Sequence, residues 1–336
     1  MTPTLRIAAP IAAAVVASAV LAGFAGAAGG KGLPVPPESY GAGVSSPGGE
    51  TRFTTLATGD RTLLVETAVD GGAVERTRPI ADRLAVPVVA YDGSASGLSA
   101  AGRTLVLIRP RRGFPRATTS FALVDPGRLR IERRIVLDGD FSFDAISPDG
   151  ETMYLIEYVN PRSPSAYQVR AFDLGRDRLH PDPIIDPRVA PVTMGGAPQT
   201  RATSPDGVWA YTLYDTLDRG RPPFIHALDT ATATAACILL EDGIVNRGRL
   251  ARMRLEPSRD GATLAVVDGA EPVAVVDAET FEVEAPEVAG ASAAADAGPR
   301  LERLGLAALG IAGLGGTAVA ILRRRRRGGE DWDPVA

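Results

Sequence analysis

Ser147-Pro148-Asp149-Gly150 runs directly into Glu151-Thr152-Met153-Tyr154-Leu155-Ile156, a turn phrase joined to an apolar strand. The order of residues has a mechanism. Pro presets φ for the second position of a type I turn, Asp bonds the backbone two residues on, and Gly tolerates positive φ where the strand begins. The phrase returns as Ser204-Pro205-Asp206-Gly207 before the apolar run 208–213, and as Ser258-Arg259-Asp260-Gly261 before 262–267. Ser99-Ala100-Ala101-Gly102 and Thr58-Gly59-Asp60 are weaker copies, and Ser46-Pro47-Gly48-Gly49 is a fainter one. A second phrase, an apolar strand ending in aspartate, follows at 121–125, 169–173, 225–229 and 273–277.

Strands such as Leu264-Ala265-Val266-Val267 are apolar on both faces, so both faces require cover. Units of about 50 residues, all strand and covered on both sides, fit a β-propeller. The Ser-Pro-Asp-Gly turns and the strand-Asp-x-x-Thr exits resemble the TolB-type and YVTN-type bacterial propeller repeats over roughly residues 50–284. The resemblance implies an all-β propeller of about five to seven blades over 49–284. It implies no single function, since relatives of the repeat include periplasmic partner-binding proteins, lactonases and peptidase-associated domains. A two-sheet sandwich is the alternative architecture.

Both ends of the chain read as membrane-directed. Residues 7–30 carry no charge, follow Arg6 and close on Ala25-Gly26-Ala27, which reads as a signal peptide over 1–28 or an uncleaved anchor. A linker follows over 29–48. Residues 285–303 are rich in Ala, Gly and Pro and read as a flexible stalk. The uncharged run 304–322 is long enough, at about 1.5 Å per residue, to cross a bilayer. Arg323, Arg324, Arg325, Arg326 and Arg327 follow it as a stop-transfer cluster, which places the tail 323–336 in the cytoplasm and the domain outside. Ala308, Ala312, Gly316 and Ala320 form a small-residue stripe suited to helix pairing.

Composition narrows the chemistry. The net charge of −4 and an aromatic content of 5% argue against nucleic-acid binding. One cysteine, Cys237, excludes an internal disulfide framework, and two histidines, His180 and His226, leave little for a metal or a Ser/His/Asp triad. No cofactor, metal or catalytic residue is assigned. Asp138, Asp140, Ser142 and Asp144 alternate like the start of a calcium loop, but Phe143 replaces the needed glycine. His226 reads as a packed strand residue and Cys237 as a small buried one.

Antiparallel order within a unit places the loops between its two strands on the face opposite the Ser-x-Asp-Gly turns. Three such loops are rich in Arg and Pro. They contain Arg109, Arg111, Arg112 and Arg116, then Arg162, then Arg219 and Arg221. The flanking loops, near Asp70 and near Asp268 and Glu271, are acidic. This arc fits an anionic partner, whether a protein patch, a wall polymer or lipid. Of the 36 basic residues only Lys31 is lysine, which resembles the codon bias of GC-rich actinobacterial genomes and weakens each arginine as evidence. The irregular stretch 181–201 ranks second as a binding site. The leading expectation is a membrane-anchored, extracytoplasmic binding or scaffold module without catalysis. The alternative is a lactonase-like hydrolase with an axial carboxylate or metal.

Overall fold

The computed structural model describes residues 43–286, apart from 161, 163, 165, 189–193, 217–219 and 242. The signal segment, most of the linker and the stalk, the membrane run and the arginine tail all lie outside those residues. Among the described residues no helix is long and apolar enough to cross a membrane.

Among the described residues five antiparallel sheets follow one another along the chain. The first holds β1 (Val44–Ser45), β2 (Thr51–Thr58), β3 (Arg61–Ala68) and β4 (Val74–Ile80). The second holds β5 (Leu105–Ile108), β6 (Thr118–Asp125) and β7 (Arg130–Asp138). The third holds β8 (Phe141–Ile146), β9 (Thr152–Tyr158), β10 (Tyr167–Asp173) and β11 (Arg178–Leu179). The fourth holds β12 (Ala197–Thr203), β13 (Trp209–Asp215), β14 (Phe224–Asp229) and β15 (Thr234–Leu239). The fifth holds β16 (Met253–Pro257), β17 (Thr263–Asp268), β18 (Glu271–Asp277) and β19 (Val283–Glu284). Each strand pairs with its sequence neighbour, so every sheet is a meander.

Successive sheets pack face to face, and an apolar core fills each gap. Leu64 and Phe53 meet Leu105 and Leu107 between the first and second sheets. Phe121 and Ile108 meet Met153 and Leu155 between the second and third. Tyr154 and Tyr167 meet Tyr214 and Leu228 between the third and fourth. Leu213 and Ile225 meet Leu264 and Val266 between the fourth and fifth. Alternation along β9 shows why its sequence is apolar throughout. Met153 and Leu155 face one neighbouring sheet while Tyr154 and Ile156 face the other. Each fully buried Leu or Ile contributes about 1.5–3 kcal/mol. Such stacking in chain order is how the blades of a propeller are arranged.

The turn phrase enters every sheet with one hydrogen-bond pattern, joining the first two strands of four sheets and leading into β5 of the second. The Ser147 hydroxyl accepts from the Thr152 amide at 2.9 Å, and Gly150 N donates to Ser147 O at 2.9 Å. Ser204, Ser258, Ser99 and Ser46 repeat the first bond at 2.8, 3.0, 3.2 and 3.1 Å. The faint copy 46–49 is therefore the true turn of the first sheet, which begins at Val44 inside the stretch expected to be linker. Thr58-Gly59-Asp60, expected to be its equivalent, is instead the tight β2–β3 turn on the opposite face. Both carry turn chemistry, but only Ser46 supplies the hydroxyl acceptor.

In the second sheet the place of a first strand is taken by a bridge from Leu98 to Leu105. The chain before it forms a hairpin, with Val88 bridging Ala95. Its tip reaches β12, where Tyr91 N donates to Pro198 O at 2.9 Å and Asp92 N to Gln199 O at 3.1 Å.

Candidate ligand-binding site

Strand order sets the two faces. Loops β5–β6, β9–β10 and β13–β14 share the face of the β2–β3 and β17–β18 turns, opposite the Ser-x-x-Gly turns. Asp70 lies in the β3–β4 turn, on the far face, so it does not flank the arc as expected. Asp60 in the β2–β3 turn holds that place.

The β5–β6 loop is built around Asp140, which sits in the β7–β8 connection. Arg111 donates to Asp140 Oδ1 through Nη2 at 2.6 Å and Nε at 3.0 Å, and to Ser142 Oγ at 3.1 Å. Its guanidinium lies 4.9 Å from the centre of the Tyr158 ring, against which Phe114 packs edge-on. Arg116 donates its backbone N–H to Asp140 Oδ2 at 2.9 Å, places Nε 3.2 Å from Oδ1 and donates to the Phe141 carbonyl. Its Nη1 returns to the Arg109 carbonyl at 2.9 Å and closes the loop. The Arg111 and Asp140 side chains are 5% and 3% exposed, so this pair is interior structure.

The remaining loop arginines point outward. Arg109 grips both oxygens of Asp82 at 2.9 Å, and Arg134 reaches the same carboxylate at 3.0 Å. Arg112 is exposed at the loop tip. Arg162 is exposed in the β9–β10 loop, where its backbone N–H bonds Asn160 Oδ1 at 2.9 Å. Arg221 is exposed in the β13–β14 loop, which Arg247 fastens by donating to the Arg221 carbonyl at 2.7 Å. Arg219 lies outside the described residues.

Between the first and second sheets this face opens into a cleft of about 500 Å³. Arg83, Arg109, Arg112 and the flanks of Arg111 and Arg116 line it, with Thr55, Thr118, Ser120, Asp60 and Asp82. Arg83 was not singled out from the sequence. It stands in the β4–β5 connection, where no strand periodicity or turn phrase marks it. A second cavity of about 330 Å³ opens on the far face, among Ser45, Gly97, Leu98, Ile146, Thr203 and Ser204. It carries no charged side chain.

The other sequence candidates are structural. Asp144 on β8 is ion-paired with Arg201 on β12, and both side chains are buried. Asp140 and Asp144, the inner acids of the calcium-like alternation, thus each face arginine. His226 is buried on β14 between Thr212 and Cys237, and burial lowers its pKa to about 4. Burial raises the Cys237 thiol to about 11. In the stretch 181–201, Ile184 and Met194 bridge Val169 and Tyr167 of β10. Burial opposes ionisation of Asp186, but hydrogen bonds from Arg188 and the Cys237 amide hold its pKa at about 2. Among the described residues no group of three His, Cys, Asp or Glu side chains is placed to hold a metal.

The sequence matches no protein-family model and no curated protein. Among solved structures it is similar to TolB from Acinetobacter baumannii, with 18% identity and a TM-score of 0.40 over 70% of this chain. The match spans 52% of that TolB, about half its length. A putative TolB from Agrobacterium tumefaciens matches at 16% identity and TM-score 0.40, covering 74% of this chain and 80% of the other. A functionally unknown protein from Desulfotomaculum acetoxidans matches at 13% identity and TM-score 0.43, covering 73% and 68%. Likenesses this distant leave function to the residues of the chain itself.

Proposed function

We propose that the chain is a binding module of β-propeller type, held on the outside of the cell membrane by residues 304–322. It engages an anionic partner through the face that carries the arginine loops. The carrying observation is the cleft of about 500 Å³ lined by Arg83, Arg109 and Arg112. A cavity of that size suits a compact ligand or one segment of a larger one. The loop above it is held rigid by the interior Arg111–Asp140 pair, which limits the ordering cost of binding.

The hydrolase reading needs a carboxylate free to act near the first strands of the sheets. Asp144 is the buried acid of β8, and Arg201 already engages it. That geometry favours a binding role over acid–base chemistry.

Crosslinking on intact cells, followed by purification and mass spectrometry, tests the reading. The wild-type chain is expected to bring down one abundant partner or polymer. A variant with Arg83, Arg109, Arg112, Arg162 and Arg221 changed to Ser should recover at least five-fold less. Equal recovery would overturn the assignment of the face.

A further inference from the structure

The arginine-lined cleft discriminates among anions by how its donors are already engaged. Arg109 donates to both oxygens of Asp82 through Nη2 alone, whereas Arg83 and Arg112 have no side-chain partner among the described residues. Asp82 is shared, because Arg134 also reaches it at 3.0 Å. Arg109 therefore can swing to a ligand without stranding the carboxylate, which keeps Arg134 as its counter-ion. Three arginines then line one cleft, beside Asp60 and Asp82. A carboxylate satisfies one guanidinium fork, while a tetrahedral phosphate presents oxygens in several directions.

Hydroxyls adjoin the arginines on their own sheet, while Asp60 stands across the cleft on the first sheet. Thr118 and Ser120 lie on β6 and line the cleft, and neither hydroxyl has a partner among the described residues. Hydroxyls beside a phosphate-binding corner suit a sugar or polyol that carries the phosphate.

We propose that the cleft between the first and second sheets binds a polyol phosphate ester, with Arg83, Arg109 and Arg112 on the phosphate and Thr118 and Ser120 on the polyol hydroxyls. The inference rests on the reading of this face as the binding surface and names its ligand class. Arg111 and Arg116 are positioning residues in this scheme, because Asp140 holds them in the wall of the cleft.

The test uses the full chain in neutral detergent, titrated calorimetrically. Glycerophosphoglycerol is the diester that both a glycerol phosphate polymer and a lipid headgroup present, glycerol 3-phosphate is the monoester, phosphatidylglycerol vesicles supply the lipid source, and glycerol and inorganic phosphate are controls. Saturable binding of either ester is expected, tighter than inorganic phosphate, weakening as salt is raised, and absent for glycerol. Diester binding without vesicle binding names a polymer as the source, and binding to both names a lipid. Arg83→Ser with Arg112→Ser should weaken the esters at least ten-fold while leaving the melting temperature unchanged, since both side chains are exposed. Thr118→Val with Ser120→Ala should weaken the esters about three-fold and leave inorganic phosphate unaffected. No saturable ester binding, or equal affinity in the double arginine variant, overturns the inference. If the esters fail while partner capture on cells still depends on the arginines, only the ligand class falls and the binding face stands.

Discussion

Arg111 and Asp140 meet at 2.6 Å in the interior, although they stand 29 residues apart in the chain and Arg111 belongs to the most arginine-rich loop of the protein. The loop thus divides its arginines between two tasks. Arg111 and Arg116 fix its shape, and Arg109 and Arg112 present charge to solvent. Removing one partner of a buried pair leaves an uncompensated charge, at a cost of about 3–5 kcal/mol. Arg111→Ala should lower stability by that amount in urea unfolding, and Asp140→Ala should do the same. Arg112→Ser, at the exposed neighbouring position, should fall within about 0.5 kcal/mol of wild type. Equal, small effects at both positions would mean that Arg111 is no anchor.

The repeated turn gives a graded test. Gly207 and Gly49 both hold positive φ, +76° and +80°, so alanine strains either one by about 1 kcal/mol. Their surroundings differ. A Cβ on Gly207 would come 2.4 Å from the Ala100 side chain, whereas one on Gly49 meets nothing within 4 Å. Gly207→Ala should therefore cost about 1–3 kcal/mol more than Gly49→Ala, because the turn of the second sheet must shift to admit it. Thermal melts of the two variants measure the difference. Identical shifts would show that the turns at 99–102 and 204–207 are not in contact.

Much of the fold was legible because Ser147, Asp149 and Gly150 each have a fixed job in a local turn, and local jobs repeat with the sequence. The first unit was misplaced for the same reason. Ser46-Pro47-Gly48-Gly49 lacks the aspartate, while Thr58-Gly59-Asp60 has one in a different kind of turn. The faces followed from strand counting, which put Arg109, Arg162 and Arg221 on one side. The inward turn of Arg111 and Arg116 was not legible, since their partner Asp140 is distant in sequence and composition does not reveal pairing. Arg83 was missed because the β4–β5 connection has no periodicity. The hairpin that bridges Val88 to Ala95 and reaches β12 was equally silent, since its contacts with Pro198 and Gln199 are backbone bonds that carry no side-chain signature.

Acid sensitivity should centre on His226. Burial lowers its pKa in the folded protein from 6.5 to about 4, with Arg201 adding to the shift and Asp144 and Asp186 opposing it. The unfolded chain then takes up a proton near pH 6.5 that the folded chain refuses until about pH 4. Stability is full above the unfolded value and falls as pH drops through this window, by about 3 kcal/mol at its lower end. His226→Gln should flatten the fall between pH 6.5 and 4 in urea unfolding. The turn aspartates act lower still. Hydrogen bonds from Ser147 and Ser204 hold Asp149 and Asp206 below the usual carboxylate range, so their contribution persists through this window and is lost only below pH 3.8. An unchanged slope in His226→Gln would mean that another group titrates there.

The membrane arrangement of the proposal rests on the uncharged run 304–322 and on Arg323, Arg324, Arg325, Arg326 and Arg327 directly after it. A basic cluster resists passage across the membrane, and each arginine near the anionic inner leaflet adds about 1 kcal/mol of attraction. A fluorescent protein fused after Ala336 should therefore fold and fluoresce in the cytoplasm. Alkaline phosphatase at the same place should stay inactive, while its insertion in the exposed β3–β4 turn at Gly71 should be active. Changing the five arginines to Ser should weaken the stop-transfer signal and shift part of the fluorescence to phosphatase activity. An active phosphatase after Ala336 in the unaltered chain would reverse the topology and move the arginine-lined cleft to the cytoplasmic side.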